Sequence, residues 1–170
     1  MNSLWKTSLW QQFGAAIDML DDAIGACPER LWTANLWDDE DDPAYGQFWY
    51  LAYHTLSWLD LFLSDSSAGF TPPAPFIRGA LPEKPYPQTD VSTYLKQCRQ
   101  QCEAVINALT DEQAQQLCTF DWMEPTFLEL QLYSMRHVQE HASQLSFFLG
   151  TNGVLGIDWV AQARSNPTSC

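Results

Sequence analysis

Long apolar runs are missing from this 170-residue chain. None approaches the roughly 20 residues that cross a bilayer, which excludes a helical membrane span. Basic residues are scarce: eight Lys and Arg stand against 21 Asp and Glu, for a net charge of −13. Nucleic-acid backbones and anionic lipid are bound through clustered Lys and Arg, so neither is expected as a partner. The N-terminus, MNSLWKTSLWQQF, has one Lys, no continuous apolar segment and no small-residue cleavage site, so a cytoplasmic protein is expected. The five cysteines are odd in number and irregularly spaced, unlike a secreted disulfide framework. Cys98 and Cys102 read as small packed residues, and Cys170 as exposed. The sequence shows no internal repeat and no strand alternation long enough for a sheet. Histidine is rarest of all the informative residues: there are three.

What is present is apolar and aromatic. Hydrophobic residues make up 46% of the chain, with eight Trp, nine Phe and six Tyr. That suffices for a single domain over 1–170 with a real core. Four segments repeat their apolar residues at the helical period, which predicts an all-α four-helix bundle. The first spans Leu4–Ala26 and stops before Pro28. The second covers 45–64 and is the most aromatic. The third covers 91–109, with Asp90 as candidate N-cap. The fourth covers 126–149, bounded by Pro125, with Glu129 in its first turn and Gly150 as its stop. A capping box, Thr110 with Gln113, predicts a short helix over 110–117. Another short helix is expected over 158–163. The acidic run WDDEDDP reads as a solvated loop. A crossover of about 25 residues follows the second helix and contains six of the ten prolines. Its Phe70, Phe76, Ile77, Leu81 and Tyr86 are expected to pin it over the bundle.

All three histidines fall on predominantly apolar helical lines. His54 aligns with Leu51, Trp58 and Leu61 on the second helix. His137 and His141 stand four apart on the fourth, so they share one face. Apolar lines are expected to face the interior, where an imidazole needs a hydrogen-bond partner or a metal. One ligand from the second helix and two from the fourth would make a three-imidazole site with open positions, the form of a catalytic rather than a closed site. Gln144 lies close to the same line and could support an imidazole or pack as a plain amide. Asp60 reads as a surface carboxylate or an imidazole partner, Glu140 as surface. Tyr53 and Tyr133 are candidates to line a cavity. No other ionisable cluster reads as inward-facing, and no Ser-His-Asp or Cys-His arrangement competes, because every histidine is taken.

These residues resemble the DinB-like superfamily, which includes YfiT-type metal-dependent hydrolases. The resemblance rests on QFGAAIDMLDDAI in the first helix, LAYHTLSWLDLFL in the second and MRHVQEHASQL in the fourth, over about 150 residues. It implies a bundle with a long connection between helices two and three. It also implies a divalent ion, zinc or nickel, held by His54, His137 and His141. Characterised relatives use low-molecular-weight thiols as transferases or isomerases, and homodimers are frequent. The expected function is therefore a metal-dependent thiol S-transferase or related hydrolase acting on a small molecule. The alternatives are a non-enzymatic metal- or ligand-binding stress-response protein, or a structural bundle with a degenerate site. Ordinary imidazole acidity predicts metal loss below about pH 6.

Overall fold

The computed structural model describes residues 4–165; Cys170 lies outside them. Six α-helices follow in order: α1 (Leu4–Ala26), α2 (Glu29–Trp32), α3 (Phe48–Phe62), α4 (Gln88–Ala108), α5 (Asp111–Ala114) and α6 (Phe127–Thr151). The four long ones form the bundle. α1 packs on α4 and α6, and α3 packs on the same two, so α1 and α3 stand diagonally across the core. Phe13, Ile17 and Leu20 from α1, Leu56 and Leu59 from α3, Leu95 and Cys98 from α4, and Val138, Ala142 and Leu145 from α6 are buried in that core. These spacings are the three- and four-residue steps of a helix face.

The helix ends show which local signals decide. α1 matches its expected span. The second helix is shorter than expected: Pro43–Gly46 forms a separate 3-10 turn capped by Asp42, and extended Gln47 separates it from α3. The break is tertiary. Phe48 N–H donates to Ala34 O and Leu36 N–H to Gly46 O, tying the segment after α2 to this entry. The third helix begins earlier than expected, at Gln88. Pro87 is its N-cap, and Asp90 lies in the first turn instead. Gln88 also turns back on α1, its amide donating to the carbonyls of Ile24 and Cys27. The Thr110 capping box is present with both reciprocal bonds and opens α5. α6 starts at the Thr126 cap but runs through Gly150 to Thr151. The left-handed residue that ends it is Gly153, at φ 81°, and Val154 N–H closes onto Leu149 O.

The helix expected over 158–163 does not form. The segment instead runs unwound along α1 as a strap. Its backbone partners lie on another element: Ala163 N–H donates to Gln11 O, and Gln12 donates to Ala161 O. The approach is close enough that a Cβ on Gly14 would stand 2.5 Å from the Ala163 methyl, so glycine is required there. The strap ends in an ionic knot. Buried Asp18 on α1 accepts from Arg99 Nε at 2.7 Å and from the Arg164 backbone at 2.7 Å. Arg164 also pairs with Asp22. Asp18 thus centres an inward-facing ion-pair cluster that helical periodicity did not single out.

The long crossover between α3 and α4 packs down as expected. Phe76 and Tyr86 are buried in the main core, Leu81 is partly buried against it, and Ile77 is exposed. No helix among the described residues is long and apolar enough to cross a membrane.

Candidate metal centre

The three histidines converge where α3 meets α6. One ring nitrogen from each of His54, His137 and His141 lies within 4.8 Å of the other two. The ring centroids of His54 stand 5.4 Å from His137 and 5.3 Å from His141. All three side chains are half-buried. They sit on the seam between two helices, at its open edge, and not at the centre of the bundle as apolar alignment alone suggested. The reason is that a helix face is apolar for more than its innermost line, and the edge of that stripe still reaches solvent.

Each histidine is positioned by its own helix. On α6 the four-residue step brings His137 Nε2 and His141 Nε2 to 3.0 Å. One turn on, the Gln144 carboxamide oxygen accepts from His141 Nδ1 at 2.8 Å. That bond places the proton on Nδ1 and leaves the Nε2 lone pair directed at the cluster. Gln144 is therefore the imidazole support, not a plain packing amide. On α3, Tyr50 and Trp58 flank His54 one turn before and one turn after, at centroid distances of 6.1 and 6.2 Å.

Burial sets the charge state. Removal from water pulls the His54 imidazole down to about 4, with repulsion from His141 adding to it. The same two causes, and then His54 itself, pull His137 down to about 3. Both rings are thus neutral, with lone pairs available, well below pH 6. The acid limit for these two ligands lies lower than ordinary histidine chemistry predicts.

The donor set fits a divalent cation. Three neutral imidazoles suit first-row ions, and two nitrogens sharing one ion at about 2.1 Å each stand roughly 3 Å apart. His137 Nδ1 is also buried without a hydrogen-bond partner, as are Ser134 Oγ and Gln131 Oε1 one and two turns earlier on α6.

His54 opens onto a cavity of about 340 Å3, with Tyr50, Tyr53 and Trp58 on the α3 side and Arg78, Gly79 and Ala80 from the crossover opposite. Trp122 packs edge-on against Trp58 at 5.5 Å. Larger clefts of about 400 and 430 Å3 exist elsewhere, but no histidine lines either.

Tyr53 lines the cavity as expected, whereas Tyr133 is exposed and packs edge-on against Phe62. Glu140 is exposed. Asp60 takes neither expected role: it accepts from the Tyr94 hydroxyl on α4 at 2.7 Å. Arg78 and Trp122 were not singled out from the sequence, because both lie in irregular segments where no periodicity reports facing.

No protein-family model matches the chain, and no curated protein matches it. Among solved structures, it is similar to a DinB-like protein, YjoA, from Bacillus subtilis, at 15% identity and a TM-score of 0.63. The alignment covers 92% of this chain and 99% of that one. At that identity the likeness speaks for the fold: this is a DinB-like all-α fold, with a histidine triad that could hold a metal ion.

Proposed function

We propose that the protein is a divalent-metal-dependent thiol S-transferase, or a related hydrolase, acting on a small molecule. The observation that carries this reading is the convergence of three ring nitrogens beside an aromatic-walled cavity. His54, His137 and His141 hold the ion, zinc or nickel. When bound, it supplies a positive charge that lowers the pKa of a thiol or water beside it, giving a nucleophile near neutral pH. The protein's own contribution is positional. Gln144 holds the His141 ring with its lone pair inward. Burial keeps His54 and His137 neutral, so they do not compete with the cation for protons. Tyr50, Tyr53 and Trp58 exclude water from one side of the cavity and offer flat apolar faces to an electrophile. The crossover closes the other side.

Two measurements test this. Metal content of untagged protein is compared with that of His137→Ala; near-stoichiometric metal in the wild type and little in the variant is expected. A full complement in His137→Ala would sink the three-histidine site. Conjugation of low-molecular-weight thiols to a generic electrophile is then followed with and without chelator. A chelator-insensitive rate would count against the mechanism.

We also propose that the protein is a cytoplasmic homodimer. Support for association comes from α6, where Leu132 and Phe147 are exposed, and from the strap, where Trp159 is exposed. Light scattering at micromolar protein checks it; a monomer mass would refute it.

A further inference from the structure

Among the described residues, Arg78 is the one Lys or Arg that lines the cavity beside His54. Arg99 and Arg164 are paired with Asp18 and Asp22, and Arg30 donates to Asn152 O. Arg78 makes no ion pair within 4 Å among the described residues. In a chain with 21 acidic residues, it nevertheless lines a cavity that contains no Asp or Glu. Its guanidinium lies over the faces of Trp58, at 5.9 Å, and Phe70, at 5.6 Å. Aromatic faces hold such a cation without using up its N–H donors.

The backbone immediately before Arg78 is anchored. Phe76 is buried and stacks on Tyr53 at 5.5 Å and on Tyr94 at 4.7 Å. The Tyr53 hydroxyl donates to Ile77 O. Ile77 N–H donates to the Tyr86 hydroxyl at 3.0 Å. Two tyrosines therefore clamp the residue immediately before Arg78. The clamp and the Trp58 and Phe70 faces together set the guanidinium across the cavity from His54.

We propose that this cavity binds an organic carboxylate, with Arg78 taking the carboxylate and the aromatic wall taking an apolar body. The planar guanidinium fork matches a carboxylate through two parallel hydrogen bonds. A single cation in so acidic a protein favours a monoanion over a phosphate dianion. The cavity, at about 340 Å3, accommodates a small aromatic or branched acid. The proposal rests on the reading of the histidine cluster as the reaction centre, since it supplies that centre's substrate class, but its test is independent of the metal.

The full chain is dialysed against chelator and titrated by calorimetry with phenylacetate, phenylacetamide and inorganic phosphate. Phenylacetate is expected to bind about tenfold more tightly than the amide, the value of a charged hydrogen-bonded pair. Arg78→Gln should erase the difference, while Arg78→Lys, which keeps the charge but loses the fork, retains part of it. Arg78 is exposed, so both variants should melt with the wild type. Undetectable phenylacetate binding, equal affinity for acid and amide, a preference that survives in Arg78→Gln, or tighter binding of phosphate would each overturn the assignment. Failure of the histidine reading shows up separately, as absence of zinc uptake in the same calorimeter with the acid-to-amide ratio intact.

Discussion

Lowering the pH of the metal-free protein should unfold it through two histidines before its carboxylates matter. His54 and His137 have folded-state pKa values of about 4 and about 3, against 6.5 for an ordinary imidazole. The folded state thus binds fewer protons than the unfolded chain throughout the interval between. Stability is fully present above pH 6.5 and is lost as the pH falls toward 4, because protons stabilise only the unfolded state there. Each neutral imidazole contributes up to about 1.4 kcal/mol per pH unit well below 6.5 and about half that at 6.5, so the pair removes roughly 3 kcal/mol between pH 6.5 and 5.0. That is a large share of the 5–15 kcal/mol typical of a domain. The range stops short of the isoelectric point near 4.3, where solubility would confuse the result. Urea unfolding at half-unit pH steps gives the free energy, with a constant slope on denaturant confirming two-state behaviour. The control is the double variant His54→Leu, His137→Leu, whose profile should be nearly flat over the same interval. If wild type and double variant lose stability in parallel, burial does not hold these rings neutral, and the account of the site as a ready set of lone pairs is wrong.

Three further outcomes are expected. Asp18→Ala leaves the Arg99 guanidinium without its main partner at a site where Asp18 is 3% exposed, and should cost about 3 kcal/mol or more by urea unfolding; a loss below about 1 kcal/mol would show the knot to be incidental. Gln144→Leu removes the acceptor at His141 Nδ1 and should weaken zinc binding about tenfold in a competition titration while leaving the fold intact; unchanged affinity refutes the support role. Cys27, Cys98, Cys102 and Cys118 are all buried; burial pushes the Cys27 thiol up to about 12 and Cys98 well above its ordinary range. These four should resist an aromatic disulfide reagent at pH 8 until urea is added, and rapid reaction of any of them in the native state would contradict the packing.

Legibility in the sequence followed the range of the interaction involved. The α1 span, the Thr110 capping box and the Thr126 start of α6 were readable because each depends on residues within one turn. The strap was misread as helix because its backbone partners, Gln11 and Asp18, lie almost the whole chain away. Asp60 was misread for the same reason: its partner, Tyr94, stands on another helix. Arg78 and Trp122 carried no periodic signal, and only the packing of their loops brings Arg78 to the cavity and Trp122 against Trp58.

By itself, the sequence determined that this is a helical protein and which of its residues can hold a metal. Periodicity of apolar residues decides helix and face, and a four-residue step puts His137 beside His141 whatever else the chain does. Tertiary structure alone decided that the cluster lies at the open edge of the α3–α6 seam, and that Arg78 faces His54 across an aromatic cavity. Those facts depend on how helices and the crossover pack against one another, and packing is a property of pairs of surfaces that no single segment encodes.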